Sequence, residues 1–255
     1  MVLRIKKIPE GSDKSSFCAG CGHGIVSRLL NEVIEEEGYN YKVLLNCGVG
    51  CSCNLNGHQE GEAKALIAGD IFQCAHGRAS ASATAMKRVH PDKLVVAYQG
   101  DGDGAVIGLA ETLNAAYRNE NITVIFINNT NFGMTGGQMS WTTLPGEKTA
   151  TSEHGRNCDL NGKPIHLPEI ISREFTDVAY VARGAVHNVK AINETKKMIK
   201  NAIEAQINGE GYSMVEVLSM CPTNWHMTPV QATARVENEV MKEYPVGVFK
   251  ERKTE

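Results

Sequence analysis

Apolar and polar residues along this chain fall into blocks that read alternately as strands and helices. Leu94-Val95-Val96-Ala97-Tyr98 is a short apolar run, long enough for one buried strand, and Ile122–Ile127 is a second. Between them, apolar residues recur at helical spacing at Val106, Leu109, Ala110, Leu113 and Tyr117. Polar residues gather after each run: Gly100-Asp101-Gly102-Asp103-Gly104 follows the first and Asn128-Asn129 the second. This is a β-α-β unit whose polar residues stand at the carboxyl ends of its strands, where open α/β sheets bind ligands.

The same reading extends outward. A helix is expected from Ile25 to the acidic triplet Glu35–Glu37, then a short strand over Val43–Leu45. Residues 54–74 show no clear period. Ala79–Val89 reads as a small-residue helix that Pro91 ends. Met139–Pro168 has little periodicity and reads as a long loop, which in a compact domain is usually functional or partner-bound. Ile170–Ala182 predicts a helix and a short strand, Val189–Ile207 an amphipathic helix, and Ser213–Ser219 a last strand capped by Met220-Cys221-Pro222-Thr223-Asn224-Trp225. Residues 1–15 read as a polar, basic arm and 236–255 as a helix and tail. The order predicts a single α/β domain over 1–255, with a doubly wound, mostly parallel sheet.

Composition adds mainly exclusions. Over 255 residues, 42% hydrophobic and 22% charged with a net charge of −3, nothing points to nucleic acid or an anionic membrane surface. No apolar run approaches the length that spans a bilayer. The first residues lack the apolar core of a signal peptide, so a cytoplasmic setting is expected.

The spacing Gly-Asp-Gly-Asp-Gly is not that of a dinucleotide site. A hard cation such as Mg2+ takes carboxylate, amide, carbonyl and phosphate oxygens, and Asp101 with Asn129, 28 residues on, can supply such a set on a diphosphate. Each residue alone is as readily an ordinary turn or strand end. Eight cysteines stand at 18, 21, 47, 51, 53, 74, 158 and 221, and five of them fall between 18 and 53. Disulfides do not suit a reducing compartment, so metal binding or catalysis is the expected use. Cys18-x-x-Cys21 alone fits zinc, a redox dithiol or iron–sulfur ligation. With Cys51 and Cys221-Pro222 at strand ends it makes four thiolates for a [4Fe–4S] cluster, against the alternative of free buried cysteines.

Taken together, Cys-x-x-Cys-Gly-His, Gly-Cys-Ser, His-Gly-Arg, Gly-Asp-Gly-Asp, Asn-Asn, Gly-Met-Thr-Gly-Gly-Gln and Cys-Pro-Thr resemble the β subunit of the 2-oxoacid:ferredoxin oxidoreductases, from about Phe17 to the C-terminus. The resemblance implies a thiamine diphosphate-binding fold and the oxidative decarboxylation of a 2-oxo acid to acyl-CoA and CO2. Electrons would pass through one 4Fe-4S cluster to ferredoxin, with coenzyme A as co-substrate. It places Mg2+ on Asp101, Asn129 and the Asn131 carbonyl, and the cluster on Cys18, Cys21, Cys51 and Cys221. The stretch from Cys51 to His76 is longer than usual and carries extra Cys53 and His58, so Cys47 or Cys53 remains open as the third ligand.

The cofactor is expected to lie against Gly50, Cys51, Ser52, His76, Gly100, Asp101, Gly102, Asp103, Asn129, Gly133, Met134 and Thr135. His23 and His76 adjoin glycines on cofactor-facing loops and are candidates for contact with the diphosphate or the reacting centre. Arg78, at a helix start, is a candidate partner for a phosphate or substrate carboxylate. The glutamate that activates thiamine in this family resides in a second domain, so an α subunit is expected to supply it; small γ/δ ferredoxin-like subunits are further expected partners. The motifs favour the branched-chain (2-oxoisovalerate) or 2-oxoglutarate group over pyruvate, in anaerobic metabolism. Competing readings are a non-oxidative thiamine diphosphate-dependent lyase and a non-catalytic iron–sulfur or zinc docking module.

Overall fold

The computed structural model describes residues 16–56 and 67–252; the expected arm over 1–15 and His58 lie outside them. Among the described residues nine strands run in the order β1 Val43–Cys47, β2 Asp70–Gln73, β3 Leu94–Gly100, β4 Thr123–Asn128, β5 Asn131–Phe132, β6 Gln138–Met139, β7 Tyr180–Ala185, β8 Ser213–Leu218 and β9 Gly247–Lys250. The helices are α1 Gly22–Glu36, α2 Ala79–Val89, α3 Leu109–Tyr117, α4 Cys158–Asn161, α5 Leu167–Glu174, α6 Val189–Ile207, α7 Pro229–Arg235 and α8 Met241–Glu243. Seven strands form one sheet in the order β2-β1-β3-β4-β8-β7-β9, parallel throughout except that β9 runs antiparallel to β7.

Period-two alternation divides the core into two layers. Val96, Ile125 and Val215 face α1 and α6, meeting Leu30, Val33, Ile199 and Ile203. Val95, Ala97, Val124, Phe126 and Met214 face the other way, against Ala83, Ala115, Ala116, Leu167 and Ile171 of α2, α3 and α5. With helices on both faces, the sheet is doubly wound, as the sequence order predicts.

Three elements depart from that expectation. The unassigned stretch before Cys74 contains β2, a largely exposed edge strand with too little apolar pattern to announce itself. The C-terminal segment is not simply helix and tail: after a π-helical turn over Val236–Val240 and the short α8, Pro245 ends the helix and β9 returns to the sheet edge. The helix of the central unit also starts late, because a π-helical turn over Asp103–Ile107 precedes α3. The long loop over 139–168 is ordered by one side chain. Arg156 is nearly buried and donates to the carbonyls of Ser140, Trp141, Thr143, Asn161, Gly162 and Lys163.

A buried ion network joins β9 and α5 to the sheet. Arg183 on β7 bonds Glu216 Oε2 at 2.5 Å and both Glu169 oxygens at 2.7 Å, and also donates to the Pro245 carbonyl. Its guanidinium lies over the rings of Tyr244 and Phe249. Glu216 in turn accepts from Asn128 Nδ2 at 2.7 Å, so the network reaches the end of β4. Removing one partner strands a buried charge. Arg183→Leu is expected to lower the unfolding free energy by about 3–5 kcal/mol in urea titration, with part of the loss recovered when Glu216→Leu is added. A loss within about 0.5 kcal/mol, the range of an ordinary surface change, would contradict this role.

Candidate functional site

The parallel register brings the ends of the central strands together. Gly100 pairs with Ile127 and Asn128 with Leu218, so the loops after β3, β4 and β8 leave the sheet side by side. The start of α1 is tied to the same edge, since Gly22 N–H donates to the Met220 carbonyl at 3.2 Å. A cleft opens there, lined among others by His23, Cys51, His76, Asp101, Asn129 and Gly133.

Asp101 is buried at the floor of this cleft. Its Oδ1 accepts from Gly102 N–H at 2.9 Å, and its Oδ2 accepts from Thr142 Oγ1, a residue of the long loop. Burial pushes its carboxyl up to about 7, against the pull of the Thr142 and Gly102 donors. Facing it, the terminal amide of Asn129 places one atom 3.2 Å from Asp101 Oδ1 and 2.8 Å from the Asn131 carbonyl oxygen. Turned one way, the amide nitrogen bonds both. Turned the other, the amide oxygen stands against both the Asp101 carboxylate and the Asn131 carbonyl oxygen. These separations bracket the edge of an oxygen octahedron about a Mg2+ ion, about 2.9 Å for bonds of about 2.1 Å. The donor set therefore fits a small hard cation.

Thr130 produces this convergence. Its φ of 63° is left-handed, a costly conformation for a β-branched residue. Four bonds enforce it: its N–H donates to Asn128 Oδ1, its carbonyl accepts from Thr143, and its hydroxyl donates to Glu147 and accepts from Trp225 Nε1. Nothing in the sequence announces Thr130 or Thr142, because their roles depend on contacts from distant segments.

The histidines differ. His23 is buried, stacks on Phe17 with centroids 5.2 Å apart, and has Nδ1 3.1 Å from the Tyr98 hydroxyl. Burial lowers its pKa to about 4, so a neutral imidazole faces the cleft at pH 7. His76 Nδ1 meets Asp103 Oδ1 at 2.6 Å, an oxygen that also accepts from Gly77 N–H at 2.6 Å; Gln99 Nε2 donates to the other oxygen at 2.9 Å. Asp103 thus orients the His-Gly-Arg loop while itself lining the cleft. Arg78 does not reach the cleft: its guanidinium pairs with Glu111 of α3 at 2.9 Å and is half exposed. Ser52 is also turned inward, donating to the Gly48 carbonyl at 2.8 Å. Gly50, Gly100, Gly102, Met134 and Thr135 do line the cleft, as expected.

The cysteines separate into two groups. Burial, and then the neighbouring charges of Cys21, Cys221 and Cys18, push the Cys51 thiol up to about 12. Burial likewise raises Cys21 to about 12, with Cys221 and Cys18 adding to it. Cys47, by contrast, is raised by burial and by Cys53, Cys74 and Asp103. Cys51 Sγ lies against Gly133, whose carbonyl accepts from Asn224, and the same Asn224 amide lies 3.4 Å from Cys221 Sγ, so Cys51 and Cys221 approach one turn. Cys47 is turned into the apolar layer against α1, and Cys53 bonds the Gly48 carbonyl at 3.4 Å. Among the described residues, no three His, Cys, Asp or Glu side chains close tightly enough for a single metal ion.

Residues 48–217 match the family model of the C-terminal TPP-binding domain of thiamine pyrophosphate enzymes. The ketoisovalerate oxidoreductase subunit VorA of Methanothermobacter thermautotrophicus is 41% identical over 244 residues, covering 94% of this chain and 48% of that one. The 2-oxoglutarate synthase subunit KorB of Methanocaldococcus jannaschii is 35% identical over 212 residues, covering 81% and 69%. The chain thus spans about half the length of the VorA relatives and more of the KorB ones. A 2-oxoglutarate:ferredoxin oxidoreductase from Magnetococcus marinus, solved with 2-oxoglutarate, coenzyme A and succinyl-CoA, shares the fold at a TM-score of 0.74 and 22% identity, covering 95% of this chain and 83% of that one.

The oxygen triad makes a specific prediction for Mg2+ and thiamine diphosphate binding, measured by titration calorimetry. Thr142→Val, which removes the donor to Asp101, is expected to weaken binding about 10–100-fold, as outer-sphere changes do. Asp101→Asn, which removes the triad's carboxylate, is expected to weaken it further. Unchanged affinity in Asp101→Asn would refute the assignment. By sequence match, this chain belongs to the thiamine pyrophosphate enzymes, among the subunits of 2-oxoacid oxidoreductases.

Proposed function

We propose that this chain is the thiamine diphosphate- and cluster-binding β subunit of a 2-oxoacid:ferredoxin oxidoreductase that converts a branched-chain 2-oxo acid such as 2-oxoisovalerate, or 2-oxoglutarate, to its acyl-CoA. One observation carries the reading: the oxygen triad of Asp101, Asn129 and Asn131 and the thiols of Cys18, Cys21, Cys51 and Cys221 share one sheet edge, with Gly133 between them. A β-carbon built on Gly133 would stand 3.2 Å from Cys51 Sγ and 3.5 Å from the Asn129 amide. A lyase needs the first group only, and a docking module the second only.

Thiamine diphosphate, when bound, supplies the carbanion chemistry of decarboxylation, and an iron–sulfur cluster takes up single electrons. The work of this chain is to position and neutralise. Asp101, Asn129 and the Asn131 carbonyl would hold Mg2+ on the diphosphate, with Thr142 fixing the carboxylate that faces it. In the turn from Gly133 to Gln138 the Gly136 and Gly137 N–H groups donate to the Gly133 and Phe132 carbonyls, so those of Met134 and Thr135 would serve the phosphate oxygens. His23, kept neutral, can exchange a hydrogen bond in the cleft without adding charge. His76 is held at Nδ1 by Asp103, which leaves Nε2 to bond or move a proton at a ligand atom. The thiols of Cys21, Cys51 and Cys221, disfavoured as thiolates by burial, would together with Cys18 suit a polynuclear iron–sulfur cluster that supplies the missing positive charge.

Among the described residues lining the cleft there is no glutamate, so the group that activates the aminopyrimidine ring is supplied from outside this site, on our reading by an α subunit. Coenzyme A contacts and the substrate-carboxylate site fall to the same partner, since Arg78 is occupied by Glu111. Small ferredoxin-like subunits and ferredoxin complete the electron path, in a cytoplasmic assembly. The higher identity to the ketoisovalerate relative favours a branched-chain substrate. No helix of the described residues is long and apolar enough to cross a membrane.

The test is an anaerobic assay with 2-oxoisovalerate, 2-oxoglutarate and pyruvate, coenzyme A and ferredoxin. The chain reconstituted with its partner is expected to turn over 2-oxoisovalerate fastest, and the chain alone none of the three. Decarboxylation by the highly purified chain alone would overturn the proposal.

A further inference from the structure

Asn224 lies three residues after Cys221 in the turn that follows β8. Its Nδ2 donates to the Gly133 carbonyl at 2.7 Å and lies 3.4 Å from Cys221 Sγ and 3.5 Å from Asn131 Oδ1. Its backbone N–H is directed at the same sulfur. Asn131 Oδ1 also accepts from the Cys221 thiol at 3.9 Å, while the carbonyl of Asn131 belongs to the oxygen triad. One side-chain amide therefore touches a cluster thiol, the diphosphate loop and the residue that joins them.

The amide has little freedom to do otherwise. Gly137, at φ +81°, closes the turn by donating to the Phe132 carbonyl at 2.9 Å, and a β-carbon there would stand 3.0 Å from Asn224 Cβ. The next residue, Trp225, is pinned by its indole N–H to Thr130 and lies against the Arg235 guanidinium. Asn224 is thus wedged into the diphosphate turn from the side of the cysteines.

We propose that Asn224 is a positioning residue that raises the reduction potential of the cluster at Cys221 and holds the diphosphate loop in register with it. This rests on the reading of the four cysteines given above. A thiolate ligand gains negative charge when its cluster is reduced, so N–H donors at the sulfur stabilise the reduced form more than the oxidised one. When Cys221 becomes a thiolate it no longer donates to Asn131 Oδ1. The two protons of the Asn224 amide then serve the Gly133 carbonyl on one side and the sulfur and Asn131 Oδ1 on the other. The same residue that eases electron arrival at the cluster thereby fixes the distance from which the electron comes.

The experiment uses the anaerobically reconstituted full chain with its partner. The midpoint potential of the cluster is followed by electron paramagnetic resonance, and exchangeable-proton couplings are compared in H2O and D2O. Asn224→Ala is expected to retain its iron, shift the potential to a more negative value and lose one exchangeable-proton coupling. Asn224→Asp, with a carboxylate facing the sulfur, is expected to shift it further. Asn224→Ser keeps a short donor and covers the case in which the other two fail to take up iron; its potential should stay nearer the parent. Variants with full iron content but an unchanged potential and unchanged couplings would overturn the inference and leave the cluster reading intact. A parent protein that takes up no iron would overturn both.

Discussion

Strand β4 lies between β3 and β8, and its register brings Gly100 level with Ile127 and Asn128 level with Leu218. Everything at the site depends on these three strands ending together. The turn after β3 carries Asp101, the turn after β4 carries Asn129 and Asn131, and the turn after β8 carries Cys221 and Asn224. A slip of one residue in β4 would exchange its two faces, sending Ile125 toward α2 and α3, and would move Asn129 out of reach of Asp101. The two apolar layers that fix the register are therefore also what aligns the ligands. The buried Arg183–Glu216–Asn128 network extends that control to the sheet edge formed by β9.

The electrostatics at this edge have one sense. Asp101 is pushed up by burial, and Cys21 and Cys51 are pushed up by burial and by neighbouring thiols. The Asn129 amide meets Asp101 Oδ1 and the Asn131 carbonyl oxygen, with a single carboxylate among them. A protein interior that gathers acceptors and thiols in this way favours cations. Thr130 supports the same conclusion from the backbone, since its left-handed conformation is kept by four hydrogen bonds and serves to aim Asn129 and the Asn131 carbonyl at Asp101.

Sequence patterning made the inner part of the molecule legible. The apolar runs over 94–98, 122–127 and 213–219 and the long period of α6 are strong signals because these elements are buried. β2 and β9 are short edge strands, one side of each unpaired, and their patterns are correspondingly weak. At the site, Asp101 and Asn129 are singled out by their spacing, Cys18 and Cys21 by a C-x-x-C pair that opens a helix, and Cys51 and Cys221 by their placement at strand ends. Placement does not reveal what a side chain meets: Arg78 stands at a helix start, where anions are favoured, and pairs with Glu111 on the adjacent helix. Asp103 lines the cleft, and the His76, Gly77 and Gln99 donors also engage both its oxygens. Thr142 and Asn224 act across long sequence separations, which no local pattern encodes.

The central claim is that one sheet edge holds both a diphosphate-bound cation and an iron–sulfur cluster, a few ångströms of protein apart. Anomalous diffraction at the iron absorption edge, from crystals of the anaerobically prepared protein soaked with thiamine diphosphate and Mg2+, tests this most directly. Iron density is expected enclosed by the sulfurs of Cys18, Cys21, Cys51 and Cys221, and diphosphate density at Asp101 and Asn129 on the far side of Gly133. Iron at Cys47, Cys53 and Cys74 instead, or a single zinc ion at the edge, would contradict it.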